Sequence, residues 1–283
     1  MASFTNFATL SYNGGTTNSN IVTGEILEAL TAVKTAVSAN YSAGDRITYA
    51  LSLVNTGTAA VTDYTVTDNL GGYTVGANTV YPLAYNTGTV RYYINGVLQT
   101  APTVTAGPPL TVTGLTIPAG GSAVLIYETT ATPVAPLATG SSITNTATIT
   151  GGGLTNPITA QATVETATSA DLTISKALSP TTVTENGQIT YTFVISNTGN
   201  TEATATGNVV VTDTFAPILR NIAVTYNGTA WTEGTNYTYN AATGVFTTLA
   251  GQITVPAATF TQNTDGTFTV TPGTATLVIT DTV

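Results

Sequence analysis

One stretch of the chain occurs twice, and it decides the fold. Residues 44–57 read GDRITYALSLVNTG, and residues 186–199 read NGQITYTFVISNTG. In both copies apolar and polar residues alternate before an Asn-Thr-Gly turn, a pattern typical of a half-buried β-strand that ends in a tight turn. Because the two stretches share this pattern at matching positions, we predict that the chain contains two copies of one β-domain.

Other segments repeat in the same order. YTVTD at residues 64–68 returns as VVVTD at residues 209–213, and GSAVLIYE at residues 121–128 has a counterpart in GTATLVITD at residues 273–281. Turns of the Asn-Gly and Gly-Gly kind separate the alternating segments. We therefore predict an all-β fold of two tandem immunoglobulin-like antiparallel β-sandwiches.

The first copy ends with two strands that the second copy lacks. ITNTATIT at residues 143–150 precedes a glycine turn and a return strand at residues 158–164. Nothing similar ends the second copy, since the corresponding positions would lie beyond Val283. We therefore expect a complete first sandwich at residues 27–168 and a second sandwich at residues 169–283 that lacks its closing strands.

An N-terminal arm at residues 1–26 resembles the missing piece. Residues 4–11 read FTNFATLS and share Thr-Asn-x-Ala-Thr with the closing strand of the first copy, and a turn of two glycines follows. In this match Asn6 corresponds to Asn145. We predict that the arm is a β-hairpin that completes a second domain as a donor.

We expect seven donor residues to line the contact between the arm and such a domain: Phe4, Asn6, Phe7, Ala8, Leu10, Ile21 and Val22. The alternative is that the arm is an ordinary first hairpin of domain one. In that case the second domain simply ends early.

The segment after the arm shows a competing helical pattern, with apolar residues at helical spacing from Ile26 to Val37. However, LTAVKTA at residues 30–36 aligns with LTISKA at residues 172–177, whose β-branched residues favour a strand. We predict a first strand there and a short helical connector from Glu25 to Ala29.

A sandwich without its closing strands exposes an apolar groove and unpaired backbone groups along one edge, which favours pairing with another segment. About eight residues separate Glu25 from Lys34, and they span at most roughly 30 Å. This short connection favours insertion of the arm into the next subunit. Head-to-tail insertion does not close, so we predict a homopolymer of identical subunits that forms an open filament.

The alternative function is that of a monomeric surface adhesin or a carbohydrate- or protein-binding module. Its N-terminal arm would close its own second domain. The position of the arm in the folded chain distinguishes this alternative from the filament.

The two lysines of the chain, Lys34 and Lys176, occupy the same position of the two repeats. A buried lysine beside an asparagine and a protonated acid can condense into an isopeptide bond, because burial favours the neutral amine. The candidate sets are Lys34 with Asn145 and Asp68, and Lys176 with Asp213 and Asn6 of a neighbour, with Glu128 and Asp281 as alternative acids. A structural Lys–Asp ion pair, to which the asparagine hydrogen-bonds, fits the sequence equally well.

Composition excludes several classes of function. The chain has no His and no Cys and only 7% charged residues, which removes imidazole catalysis, thiol chemistry, disulfides and zinc sites. A net charge of −9 disfavours nucleic acid and anionic membranes as partners. There is no apolar run long enough for membrane insertion. We expect no enzymatic activity, no cofactor and no metal site.

These motifs resemble a family of surface repeats. A first-strand Lys, Gly-Asp-x-Ile-Thr-Tyr, Asn-Thr-Gly, Val-Thr-Asp and Thr-Asn-Thr-Ala-Thr are similar to the bacterial and archaeal repeat known as domain of unknown function eleven. The resemblance covers nearly the whole chain and implies an extracellular surface protein.

A short chain whose two ends fall inside a repeat, and not at its boundaries, is similar to subunits of clostridial-type endospore appendages. This resemblance implies localisation on the endospore surface. Such proteins are made in the mother cell and released by its lysis, which agrees with an N-terminus that lacks the pattern of a secretory signal.

Overall fold

The computed structural model describes residues 2–26 and 29–282, and the all-β fold class is confirmed. These residues form an N-terminal hairpin followed by two β-sandwiches. No α-helix occurs among them, and one 3-10 turn spans Ala205–Gly207. In the part of the chain that is described, no helix has the length and apolar character needed to cross a membrane.

The arm is a hairpin of four short strands. They are β1 (Ala2–Asn6), β2 (Thr9–Tyr12), β3 (Gly15–Asn18) and β4 (Val22–Ile26). β1 pairs with β4 and β2 pairs with β3, both antiparallel. Between these pairs residues 19–21 oppose only Phe7 and Ala8, so the return strand carries one extra residue, as in a β-bulge.

The predicted helical connector from Glu25 to Ala29 is wrong in its first part. Glu25 and Ile26 belong to β4, where they pair with the start of β1. Residues 27 and 28 lie outside the described residues. Cross-strand pairing in the hairpin overrides the local helical spacing, because the backbone groups of residues 22–26 find their hydrogen-bond partners on β1.

The first sandwich contains fourteen strands. They are β5 (Leu30–Ala36), β6 (Asn40–Tyr41), β7 (Arg46–Asn55), β8 (Val61–Asp68), β9 (Tyr73–Val75), β10 (Asn78–Val80), β11 (Leu83–Tyr85), β12 (Arg91–Ile94), β13 (Val97–Leu98), β14 (Thr103–Thr105), β15 (Leu110–Ile117), β16 (Ser122–Ala131), β17 (Ser142–Gly151) and β18 (Ile158–Thr166).

Two six-stranded sheets face each other in this domain. One has the order β13-β12-β16-β7-β5, with β11 also paired to β16, and the other has the order β14-β15-β8-β17-β18-β6. The neighbours β5-β7-β16-β12 and β8-β17-β18 correspond to the ABED and CFG strands of an immunoglobulin domain. Inward residues alternate along each strand, and those of β7 are Ile47, Tyr49, Leu51, Leu53 and Asn55.

The second sandwich contains ten strands. They are β19 (Leu172–Ser179), β20 (Gln188–Asn197), β21 (Thr212–Thr214), β22 (Ala223–Tyr226), β23 (Thr229–Trp231), β24 (Tyr237–Asn240), β25 (Val245–Thr248), β26 (Thr259–Gln262), β27 (Phe268–Thr271) and β28 (Gly273–Thr282).

The sheets of the second domain repeat those of the first, with one difference. The order β19-β20-β28-β22-β23 matches β5-β7-β16-β12-β13, and β21 pairs with β25 as β8 pairs with β15. In the first domain β8 also pairs with β17. Within residues 2–26 and 29–282, no strand pairs with the second edge of β21. Among the described residues the second domain therefore has no counterparts of β17 and β18, and its core is smaller than that of the first domain.

Side-chain hydrogen bonds connect the two domains. Asn200 Nδ2 donates to the carbonyls of Leu137 and Ala167, each at 2.8 Å, and Thr139 Oγ1 donates to the Asn200 carbonyl at 2.5 Å. Asn200 follows directly after the Asn-Thr-Gly turn of the second domain. This turn is therefore fixed against the end of the first domain.

The β26–β27 hairpin adds a second contact between the domains. It is inserted before β28, where the first domain has only a short turn between β15 and β16. Gln262 Nε2 donates to the Tyr73 hydroxyl at 2.8 Å. At the hairpin tip, a Cβ on Gly266 would come within 2.7 Å of Val80, so only glycine allows this close approach.

Buried asparagines hold the Asn-Thr-Gly turns of both domains. Asn197 Nδ2 donates to the carbonyls of Thr201 at 2.8 Å and Pro256 at 3.0 Å, and its Oδ1 accepts two backbone N–H groups. Asn55 makes the corresponding Nδ2 bonds in the first domain. Because Asn197 is fully buried, removal of its amide would leave backbone groups without partners.

We predict that Asn197→Ala lowers the free energy of unfolding of the second domain by about 2 kcal/mol, since buried backbone groups lose their partners. Urea unfolding followed by fluorescence of Trp231, the single tryptophan, reports on this domain alone. Asn221→Ala is the matched control, because Asn221 is exposed and makes only a backbone hydrogen bond. Equal midpoints for the two variants would contradict the prediction.

Candidate functional site

The first domain buries an ion pair in its core. Lys34 on β5 and Asp68 at the end of β8 project from opposite sheets, and Lys34 Nζ donates to Asp68 Oδ2 at 2.5 Å. Their side chains are 0% and 1% exposed. The Lys34 ammonium also lies 4.8 Å from the ring centroid of Tyr49, a cation–π contact.

Asp68 is held by further donors. The Tyr127 hydroxyl donates to the same oxygen, Oδ2, that receives Lys34 Nζ. Asp68 Oδ1 accepts the backbone N–H of Leu70 at 3.0 Å. Both carboxylate oxygens are thus engaged, and the side chain has one well-defined orientation.

Asn145 lies on β17 beside this pair. Ala147 is the direct cross-strand partner of Asp68, so Asn145, two residues earlier, is its diagonal neighbour on the same face. Asn145 is 0% exposed, yet among the described residues neither its Nδ2 nor its Oδ1 has a hydrogen-bond partner. A buried amide without partners is costly in a folded protein. The structure thus brings Lys34, Asp68 and Asn145 together and leaves the amide free.

Burial changes the proton affinities in this cluster. It lowers the pKa of Lys34 from 10.5 to about 8, and the attraction of Asp68 offsets only part of this effect. Burial also raises the pKa of Tyr49 and of Tyr127, and nearby Asp68 reinforces this effect. The lysine therefore reaches the neutral, nucleophilic form more easily than a solvated lysine, while both phenols remain protonated.

The second domain has the same ion pair in an open setting. Lys176 on β19 donates to Asp213 on β21, but the two side chains are 40% and 19% exposed. The rings of Tyr191, Phe193 and Phe215 lie below the ammonium, with centroids 4.7, 5.4 and 5.1 Å away. The pair thus lies on a layer of aromatic rings. Solvent reaches it from the side that β17 covers in the first domain.

Apolar side chains flank this exposed lysine. Ile174 and Leu178 lie two residues before and after Lys176 on the same face of β19, and they are 53% and 38% exposed. Their counterparts in the first domain, Ala32 and Ala36, pack against the core. The open face of the second domain is therefore an apolar groove with an ion pair at its centre.

The arm does not fill this groove in the single chain. Every side chain from Phe4 to Thr23 is exposed, including Asn6 and the other predicted donor residues. Its side-chain hydrogen bonds, as far as the described residues go, stay within the hairpin. The structure therefore does not bring Asn6 to Lys176 of its own chain.

The two alternative acids lie elsewhere. Glu128 is on the outer side of β16, 3.7 Å from Arg46. Asp281 is buried, but its carboxylate accepts the backbone N–H groups of Arg220 and Asn221 and so fixes a loop. In the described part of the chain, no group of three or more acidic side chains is placed to hold a metal ion.

Sequence reasoning missed the tyrosines of the cluster. Tyr49 and Tyr127 are cross-strand partners on β7 and β16, with stacked rings 5.8 Å apart. Tyr49 belongs to the repeated Ile-Thr-Tyr motif, and Tyr127 to the matched segment 121–128. The return of Tyr49 as Tyr191 in the second copy was the available signal, but inward tyrosines are also ordinary core residues, and the counterpart of Tyr127 is Ile279.

Comparisons with known proteins find likeness of structure only. No family model and no curated protein matches the chain. Among solved structures, the major pilin subunit BcpA of Bacillus cereus aligns over 96% of this chain and 73% of its own, at 14% identity and a TM-score of 0.36.

The pilus backbone protein RrgB of Streptococcus pneumoniae aligns over 86% of this chain and 55% of its own, at 12% identity and a TM-score of 0.36. The N-terminal domain of the Streptococcus gordonii adhesin Sgo0707 aligns over 48% of this chain, at 15% identity and a TM-score of 0.36. The chain thus spans about a third of that adhesin structure and about half of RrgB.

The lowered pKa of Lys34 predicts how stability depends on pH. Between about pH 8 and 9.5 the unfolded chain binds more protons at this lysine than the folded chain, so the free energy of unfolding rises with pH, by at most about 1.4 kcal/mol per unit. Above this range the buried tyrosines reverse the trend, because they keep their protons only in the folded state.

Calorimetry at several pH values measures this slope in the variant Asn145→Ala. Because this variant lacks the asparagine that could condense with Lys34, the lysine remains a free amine. The double variant Asn145→Ala and Lys34→Met is the control and should lose this slope. Parallel pH curves for the two variants would contradict a buried lysine with a depressed pKa.

Proposed function

We propose that this chain is a structural, non-enzymatic subunit that assembles head to tail into an extracellular filament. In this assembly the N-terminal arm of one subunit completes the second domain of the next. The observation that carries the proposal is the match between the open edge of β21 and an undocked arm. This arm shares the Thr-Asn-x-Ala-Thr pattern of β17, the strand that covers the corresponding edge in the first domain.

The faces of the arm fit the groove. In β17 the buried residues are Ile143, Asn145, Ala147 and Ile149, and the residues between them point outward. Alignment of Asn6 with Asn145 places Phe4, Asn6, Ala8 and Leu10 on the corresponding face of the arm. Phe7 then lies on the outer face of this strand. Insertion would bury an apolar face that is exposed in the single chain.

The positions of the arm and the groove favour a neighbouring subunit. The arm enters the first domain next to Asn55, since the Thr56 N–H donates to the Ala29 carbonyl. The second domain attaches at the other end of β7, against Leu137 and Ala167. This ten-residue strand separates the two ends by roughly 30 Å, and three residues join β4 to β5. A monomeric adhesin would need the arm folded back across this distance.

We further propose that isopeptide bonds strengthen the filament. One proton passes from Lys34 Nζ to Asp68 Oδ2, and the neutral amine attacks Cγ of Asn145. The bond from Cγ to the amide nitrogen then breaks, Asp68 returns its proton to that nitrogen and takes one from the attacking nitrogen, and ammonia leaves. The partnerless amide of Asn145 and the lowered pKa of Lys34 support this step.

The same chemistry would link subunits. When an arm enters the groove, its Asn6 takes the place of Asn145 and meets Lys176 and Asp213. The entering strand would also exclude solvent from this half-exposed pair, and desolvation favours the neutral amine. A buried ion pair without condensation remains the competing interpretation of both sites.

The proposed location is the cell or endospore surface. The motifs that resemble a surface repeat family support an extracellular position, and the resemblance to spore appendage subunits supports the endospore. A chain without Cys and with one Met offers few groups to oxidation, which suits a durable fibre.

We predict that Ala8→Glu abolishes filament formation, because this position corresponds to fully buried Ala147 and would carry a charge into the closed domain. Thr9→Glu, on the outer face, is the matched control and should assemble normally. Electron microscopy and size-exclusion chromatography measure assembly.

A chain lacking residues 2–26 should remain monomeric and bind a synthetic peptide of residues 2–26. Filaments of Ala8→Glu at normal yield would contradict insertion of the arm. A shortened chain that binds no peptide would show that another segment closes the second domain.

We predict that denatured filaments run as a ladder on a gel, and that each subunit has lost one ammonia for every bond formed. Lys176→Met should abolish the ladder and keep the ammonia loss of the first domain, whereas Lys34→Met should lose only the latter. Each variant is thus the control for the other. A single monomer band whose mass shows no loss of ammonia would contradict both isopeptide bonds and would show that the two lysines form ion pairs only.

A further inference from the structure

Two hydroxyl groups flank the Lys34–Asp68 pair, but only one contacts it. The Tyr127 hydroxyl donates to Asp68 Oδ2. The hydroxyl of Tyr49, its stacked cross-strand partner, has no hydrogen-bond partner among the described residues. Both phenols are therefore buried beside the pair, and only the hydroxyl of Tyr127 is hydrogen-bonded to the acid.

The hydrogen bond from Tyr127 restricts the acid. Without it, Oδ2 would be held by Lys34 alone, while the Leu70 N–H holds Oδ1. The proposed condensation requires this carboxyl group first to accept a proton from Nζ and then to protonate the leaving nitrogen. A fixed orientation matters because proton transfer depends on hydrogen-bond distances that a rotated carboxyl group does not keep.

The second domain lacks this phenol. Ile279 on β28 pairs with Tyr191 as Tyr127 pairs with Tyr49, so isoleucine stands at the position of Tyr127. Asp213 accepts Lys176 on Oδ2 and the backbone N–H of Thr214 on Oδ1. The acid of the second site thus has one side-chain donor where that of the first site has two.

We propose that Tyr127 is a positioning residue for the cross-link of the first domain: its hydroxyl holds Asp68 against Lys34 and accelerates bond formation with Asn145. This inference rests on the isopeptide chemistry of the proposed function. It also orders the two reactions. The first domain cross-links soon after it folds, whereas the Lys176 site, without a phenol, reacts more slowly even after an arm has closed it.

The experiment measures how fast the full-length chain loses ammonia after it has been synthesised. The wild type, Tyr127→Phe and Tyr49→Phe are made by cell-free translation, and intact mass measured over time gives the fraction that has lost one ammonia. We expect Tyr127→Phe to react about tenfold more slowly, the effect of one lost charge-assisted hydrogen bond. Tyr49→Phe should react within about twofold of the wild type, since it keeps the ring beside Lys34 and its hydroxyl makes no hydrogen bond to Asp68.

The final extent of reaction separates a kinetic effect from a folding defect. A Tyr127→Phe chain that reacts slowly but to completion has folded, which a purely structural role for the hydroxyl does not predict. Equal rates for all three chains, equal slowing of both variants, or an unfolded Tyr127→Phe chain would each overturn the positioning role. A wild-type chain that never loses ammonia would instead overturn the cross-link itself.

Discussion

The structure depends on one constraint: an inner strand of a sandwich needs a hydrogen-bonded neighbour on each side. In the first domain β8 has β15 on one side and β17 on the other. In the described part of the second domain β21 pairs with β25 alone, and it is three residues long where β8 has eight. Val210, within the segment that matches β8 in sequence, is 46% exposed. The missing neighbour therefore shortens the strand and exposes apolar surface beside it.

The two lysine sites show what a covering strand does to the same residues. Beneath β17 the Lys34–Asp68 pair is withdrawn from solvent, and the amine loses much of its affinity for protons. Without such a strand the Lys176–Asp213 pair still lies against aromatic rings but remains accessible to water. Since removal of charged groups from water is costly, the open pair costs less than the buried pair, beside which the Asn145 amide makes no hydrogen bond among the described residues.

Much of this arrangement follows from the sequence, because comparison of the two copies shows which segments they share and which segment the second copy lacks. The alternation that ends in Asn-Thr-Gly predicted the sandwiches, and the shared position of Lys34 and Lys176 pointed to the two places where a lysine contacts an aspartate, without deciding between an ion pair and a bond. The role of Tyr127 was not predictable, since an inward tyrosine usually serves the core. The helical spacing after Glu25 was misleading because hairpin pairing is non-local. The β26–β27 hairpin has no counterpart in the first copy, so the repeat gave no indication of it.

The contacts between the two domains have a mechanical consequence. Asn200 and the β26–β27 hairpin fasten the first domain to the second, whereas the end that faces the arm has the exposed Thr58 at the position of Asn200 and a short turn in place of the hairpin. These contacts restrain movement between the two domains of one chain. In the proposed filament, bending would therefore concentrate at the joints between subunits and not within them.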